Sequence, residues 1–191
     1  MAVLVWSGIN PKDYFTWLLE VAPALIGAGL LLATYHSFRL TTLLYGLILA
    51  HCIVLMIGGH YTYAEVPFFD GLFGDTRNNY DKVGHFFQGF VPAILAREIL
   101  IRKNVVNGTA WRNFLTISVC LAFSAFYELI EWGVGLASGE DAVAFLGTQG
   151  YIWDTQSDMG YALTGAILSL LTLSAVHNRQ LAKLINKPVD G

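Results

Sequence analysis

Residues 40–64 read LTTLLYGLILAHCIVLMIGGHYTYA, a run without Asp, Glu, Lys or Arg. A helix needs about 20 apolar residues to cross a ~30 Å hydrocarbon core, and this run is long enough. Val21–Phe38 and Met159–Asn178 are two more charge-free windows of that kind. Val83–Ile101 and Asn113–Gly135 are also long enough, with Arg97 and Glu98 near the end of the first and Glu128 and Glu131 near the end of the second. The whole chain of 191 residues is 55% hydrophobic and 13% charged, about half the charge of a soluble domain. That excludes a soluble enzyme, a disordered chain and a disulfide-stapled domain. A net charge of −3 leaves no basic stripe for phosphate backbones, so no nucleic-acid partner is expected.

The reading is an all-α, polytopic transmembrane helical bundle forming a single integral membrane domain over residues 1–191. Its five spans are expected near 14–35, 40–60, 82–101, 113–135 and 157–177. Met1–Trp6 is apolar but too short to span, and reads as an interfacial lead-in or a shortened sixth helix. Eight of the eleven cations (Arg39, Arg97, Arg102, Lys103, Arg112, Arg179, Lys183 and Lys187) fall on one side of these spans. The positive-inside rule makes that side cytoplasmic, which puts the C-terminus inside. Cys52 and Cys120 lie within spans and read as small apolar residues. Arg97 and Glu98 are expected to snorkel, and His177 to sit at the interface.

Sorting the remaining ionisable groups by depth brings them together on the opposite side. Glu20, His60, Asp81, Lys82, His85, Glu128, Glu131, Asp154 and Asp158 all fall in that half of the five spans. Asp81, His85 and Gln88 stand at i, i+4 and i+7, on one helical face, and Glu128 and Glu131 at i, i+3. Charges inside a bilayer are costly and persist where they pair, line water or hold a cation. Arg77 and Lys82 are too few for six carboxylates. The carboxyls therefore share protons, or a cation sits among them.

On the cation reading, His85, Glu128 and Asp158 are the first ligands, with Asp81 and His60 beside them. This mixed N/O set suits zinc, manganese or iron as a divalent metal cofactor. Glu131 or Asp154 would be the catalytic base. Arg77 or Lys82 would hold an anionic head group, with Tyr61, Tyr63, Gln88 and Gln156 lining the substrate site. The expected partners are membrane lipids and a lipid-linked substrate, an envelope precursor. Other readings stay open beside it. His85 can instead belong to a metal-free interhelical network, and Glu20 can bond backbone groups freed by Pro23. The chain can be a small-solute or proton-coupled transporter, a reading weakened by the lack of a matching cytoplasmic polar cluster. It can also be a non-catalytic lipid- or partner-binding protein.

The motifs GGHYTYAEVP (Gly58–Pro67), RNNYDKVGHFFQGFVP (Arg77–Pro92), YELIEW (Tyr127–Trp132) and LGTQGYIWDTQSDM (Leu146–Met159) resemble those of the YjdF-type bacterial inner-membrane proteins, a family without an assigned function. The resemblance extends to Ser7–Pro11 and Trp17–Glu20, and implies multi-pass localisation in the bacterial inner membrane. A more distant pattern is similar to the VanZ-like membrane proteins. Asp81-Lys82-Val83-Gly84-His85-Phe86, Glu128, Asp158 and Gly165-Ala166 match it, whereas Glu131 stands for a glutamine and Ala162 for an asparagine.

Overall fold

The computed structural model describes residues 1–72, 77–138 and 149–185. Among them are six helices: α1 Ala2–Ser7, α2 Tyr14–Thr34, α3 Thr42–His60, α4 Tyr80–Arg102, α5 Thr109–Ser138 and α6 Asp154–Ile185. No strand is formed among the described residues, only an isolated antiparallel bridge between Asp70 and Asn78. Four helical stretches are long and apolar enough to span a membrane: Tyr14–Thr34, Thr42–His60, Thr109–Ala137 and Asp154–Ile185. Their lipid-ready faces carry exposed side chains such as Leu32, Phe123 and Leu171. The last helix is longer than the 157–177 expected from sequence, so Asp154 and Asp158 share one helical face.

Local chemistry explains the helix ends. Asp13 caps α2 by accepting from the Thr16 N–H at 2.6 Å, as an N-cap carboxylate does. The short α1 is tied back by Trp17, whose Nε1–H donates to Ser7 Oγ at 3.1 Å. Trp6 stacks on His60 at 4.6 Å between ring centroids, holding α1 against the end of α3. The connection from α3 to α4 is pinned by Gly71 N–H to Arg77 O and by Asn79 N–H to Phe69 O.

α4 is the most enclosed element, packed against α3, α5 and α6. Its crossing with α6 is made by small residues. A Cβ at Gly89 would run into the carbonyl of Ala162, and one at Gly165 into that of Phe86. Without side chains between them the two backbones touch, as small residues permit in membrane bundles. This crossing also explains Ala162, which is 0% exposed: a larger residue at that contact would hold α4 away. One turn along the same face of α4, Ala93 packs with Cys120 of α5 and Ala166 of α6. Leu40, Leu44, Val91 and Ile94 form the core towards α3.

Candidate functional site

The Gly89–Ala162 contact sets the register of the site one turn away. His85 lies four residues before Gly89, and Asp158 four before Ala162. His85 Nε2 is 3.4 Å from Asp81 Oδ1 and 4.0 Å from Asp158 Oδ2. Ligand atoms of Asp81, His85 and Asp158 all lie within 4.8 Å of one another. The other ring nitrogen, Nδ1, is 3.0 Å from Gln88 Oε1 and 3.9 Å from Glu128 Oε1. His85, Asp158 and Glu128 are all buried.

This geometry restricts the imidazole. With Nδ1–H donating to Gln88, Nε2 presents a lone pair to two carboxylates. That is repulsive unless a proton or a metal cation stands between them. A side-chain carbonyl behind a metal-facing histidine is the arrangement that fixes ring tautomer and orientation in metal sites.

Around this core lie Glu20, which the sequence left open between a site role and bonding to the backbone near Pro23, and Tyr127, which it did not assign to the site. Glu20 of α2 is buried and accepts from the Tyr127 hydroxyl at 3.4 Å and from Tyr63. Tyr127 also stands edge-on to His85, with centroids 6.4 Å apart. The available signal was Glu20 as the lone carboxylate of an apolar helix, and Tyr127 beside Glu128. Tyr63 occupies a slot made by glycines: a Cβ at Gly84 would come within 2.9 Å of its ring, and one at Gly58 would overlap it. Burial, reinforced by the nearby Glu20 carboxylate, raises the Tyr63 phenol well above its ordinary value, so it remains a donor.

The other expected residues divide. Glu131 lies within electrostatic reach of Glu128, His85, Asp81 and Glu20. Asp154 is paired with Arg77, Oδ1 to Nη2 at 2.5 Å, and Arg77 also stacks over Tyr151 at 4.8 Å. Lys82 donates to Asn79. Gln156 is exposed. His60 and Tyr61 are not drawn into the Asp81–His85–Asp158 group. The Nδ1 atom of His60 is 3.0 Å from Ser7 O, and Tyr61 packs edge-on against the His60 ring.

A second polar network, at the opposite end of the bundle, corrects the expectation that Arg97 and Glu98 snorkel and that His177 is interfacial. Arg97 is 3% exposed, and Glu98 and His177 are 0%. Arg97 Nη1 reaches His177 Nδ1 at 2.8 Å, and His177 Nε2 reaches Glu98 Oε2 at 3.0 Å. Arginine only donates, so Nδ1 accepts and the neutral ring donates from Nε2 to Glu98. The Thr41 hydroxyl donates to Glu98 at 2.8 Å, and Arg102 at 2.9 Å. Arg97 also donates to Asn178 at 2.6 Å. These five hydrogen bonds inside the fold replace the solvent that snorkelling would have sought.

A bundle of apolar helices with ionisable networks buried at both ends defines an integral membrane protein. The chain belongs to the DUF2238 family of predicted membrane proteins, whose model matches residues 1–179. It is similar to the inner membrane protein YjdF of Escherichia coli (strain K12), with 53% identity over 184 residues, 95% of this chain and 88% of that protein. No solved structure shows a significant match. The family and the apolar helices make this a multi-pass protein of the inner membrane.

Proposed function

We propose that the acidic cluster of this protein holds a divalent metal, zinc, manganese or iron, and acts at the periplasmic face on a lipid or lipid-linked envelope precursor. The observation that carries this is the convergence of Asp81, His85 and Asp158 within 4.8 Å, with Gln88 behind the imidazole. In this reading α4 is a fifth span despite its charges, because α3, α5 and α6 enclose it. The C-terminus is then cytoplasmic, on the side of the cation-rich segments. The VanZ-like pattern supports the same disposition of Asp81, His85, Glu128 and Asp158. A metal in this site would supply Lewis acidity towards a phosphoryl or acyl group. Glu131, unlike the Arg77-paired Asp154, would accept a proton, and Lys82 or Arg77 would draw an anionic head group.

The test is metal analysis of protein purified without chelators. About one divalent metal per chain is expected for a single centre of this kind. His85→Ala and Asp158→Asn should lose it while keeping their helix content and elution volume. Metal-free wild-type protein that is well folded would overturn the reading. The Arg97–His177–Glu98 network favours a second reading, a proton-coupled carrier, since it provides the polar cluster at the other end that such a carrier needs. Solute-driven proton uptake by reconstituted vesicles, with no bound metal, is the result expected of a carrier.

A further inference from the structure

Arg112, Thr116, Cys120, Ser124 and Glu128 recur at every fourth position of α5 and so form one stripe, about 24 Å long at 1.5 Å per residue. Thr116, Cys120 and Ser124 are 0% exposed. The stripe faces inward: Cys120 packs on Ala93 and Ala166, and Glu128 lies beside His85. Arg112 is within electrostatic reach of Arg97. From α6, Ser169 adds another 0% exposed hydroxyl, one turn beyond Ala166. The stripe therefore runs from the acidic cluster to the Arg97–His177 network.

Several polar atoms along and beside it lack partners. Thr116 Oγ1, Ser124 Oγ, Ser169 Oγ, Glu128 Oε1 and the Nε atoms of Arg97 and Arg112 are buried without a hydrogen bond. Thr16 Oγ1 of α2 is also buried without a partner, but four other hydroxyls of the long helices behave differently. Thr34, Thr164, Thr172 and Ser174 each donate to the carbonyl four residues back, at 2.6–2.8 Å, as helical Ser and Thr commonly do. A stranded buried hydroxyl is costly, and ordered water is the usual remedy.

We propose that the α5 stripe holds a file of ordered water joining Glu128 to the Arg97–His177 network. The occupant is water rather than a cation in transit, because the guanidinium groups of Arg97 and Arg112 stand at one end and oppose cations there. Thr116, Ser124 and Ser169 act as its rungs, each donating to and accepting from a water molecule.

Cys120, at the centre of the stripe, is the built-in reporter. Hydroxyl radicals generated from water by a synchrotron X-ray pulse oxidise a thiol that has water beside it, and oxidation otherwise follows exposure. In wild-type protein, Cys120 should take up oxygen, labelled when the water is ¹⁸O-enriched, despite its full burial. In Thr116→Val/Ser124→Ala its oxidation should fall several-fold. An unoxidised wild-type Cys120 would overturn the proposal without recourse to any variant. So would equal oxidation in the folded double variant. A sodium or potassium current through reconstituted wild-type protein above that of empty vesicles would overturn the assignment to water.

Discussion

Gln88 decides how His85 is used. It does not touch the proposed metal position, yet its Oε1 meets Nδ1 at 3.0 Å and so directs Nε2 towards Asp81 and Asp158. Supports of this kind are typically worth about 10–100-fold in metal affinity. Gln88→Ala should therefore weaken metal binding by about that factor, measured by competition with a chromophoric chelator, while the fold persists. At the other end Glu98 is the critical side chain, because Thr41, His177 and Arg102 all donate to it. Removing one partner of such a buried pair costs about 3–5 kcal/mol, so Glu98→Ala should unfold at markedly lower denaturant in detergent. Lys12→Ala should leave the midpoint unchanged. The Lys12–Glu65 pair spans 2.8 Å, but both side chains are more than half exposed, and solvent screens such pairs. Sequence reading grouped Asp81, His85, Glu128 and Asp158 from spacing and depth, and they lie together around the His85 ring. It misjudged Arg97 and Glu98, because their position at a helix end is compatible with snorkelling until His177 and Thr41 are known to face them.

Among the elements, the α4–α6 crossing governs the site more than any single ligand. Sequence patterning located both helices, since α6 contains the charge-free window Met159–Asn178 and α4 the 83–101 window with Arg97 and Glu98 near its end. It could not show that Gly89 opposes Ala162, because a glycine contact across 73 positions leaves no periodic trace in either segment. Gly89→Val should force the backbones apart, because what meets the new Cβ is the carbonyl of Ala162 rather than a flexible side chain. Overpacking of this kind costs about 1–3 kcal/mol, and here it should also separate His85 from Asp158. Metal content and thermal midpoint should fall together. Gly29→Ala is the matched control: nothing lies within 4 Å of its Cβ, and a helical Gly→Ala change is neutral or stabilising. Loss of stability in Gly89→Val with full metal retention would show that the crossing does not set the ligand register.

At the scale of the whole molecule, α4 is the helix on which topology depends. Asp81, Lys82, Arg97, Glu98 and Arg102 lower its hydropathy, so composition alone singles out four other helices. Those charges are paid for inside the bundle: Asp81 lies beside His85, Lys82 donates to Asn79, and Glu98 is bonded by His177 and Arg102. A helix whose charges are satisfied by neighbouring helices can cross a bilayer that would reject it alone. The five-span proposal therefore predicts that the two ends of α4 lie on opposite faces of the membrane. Alkaline phosphatase, active only outside the cytoplasm, should be active when fused after Gly71 and inactive when fused after Asn104. A fluorescent protein fused after Ile185, beyond α6, should fluoresce, as cytoplasmic fusions do. Activity on both sides of α4 would make it a buried, non-spanning helix. The acidic cluster and the Arg97–His177 network would then have to be reassigned to membrane faces, because α4 carries residues of both.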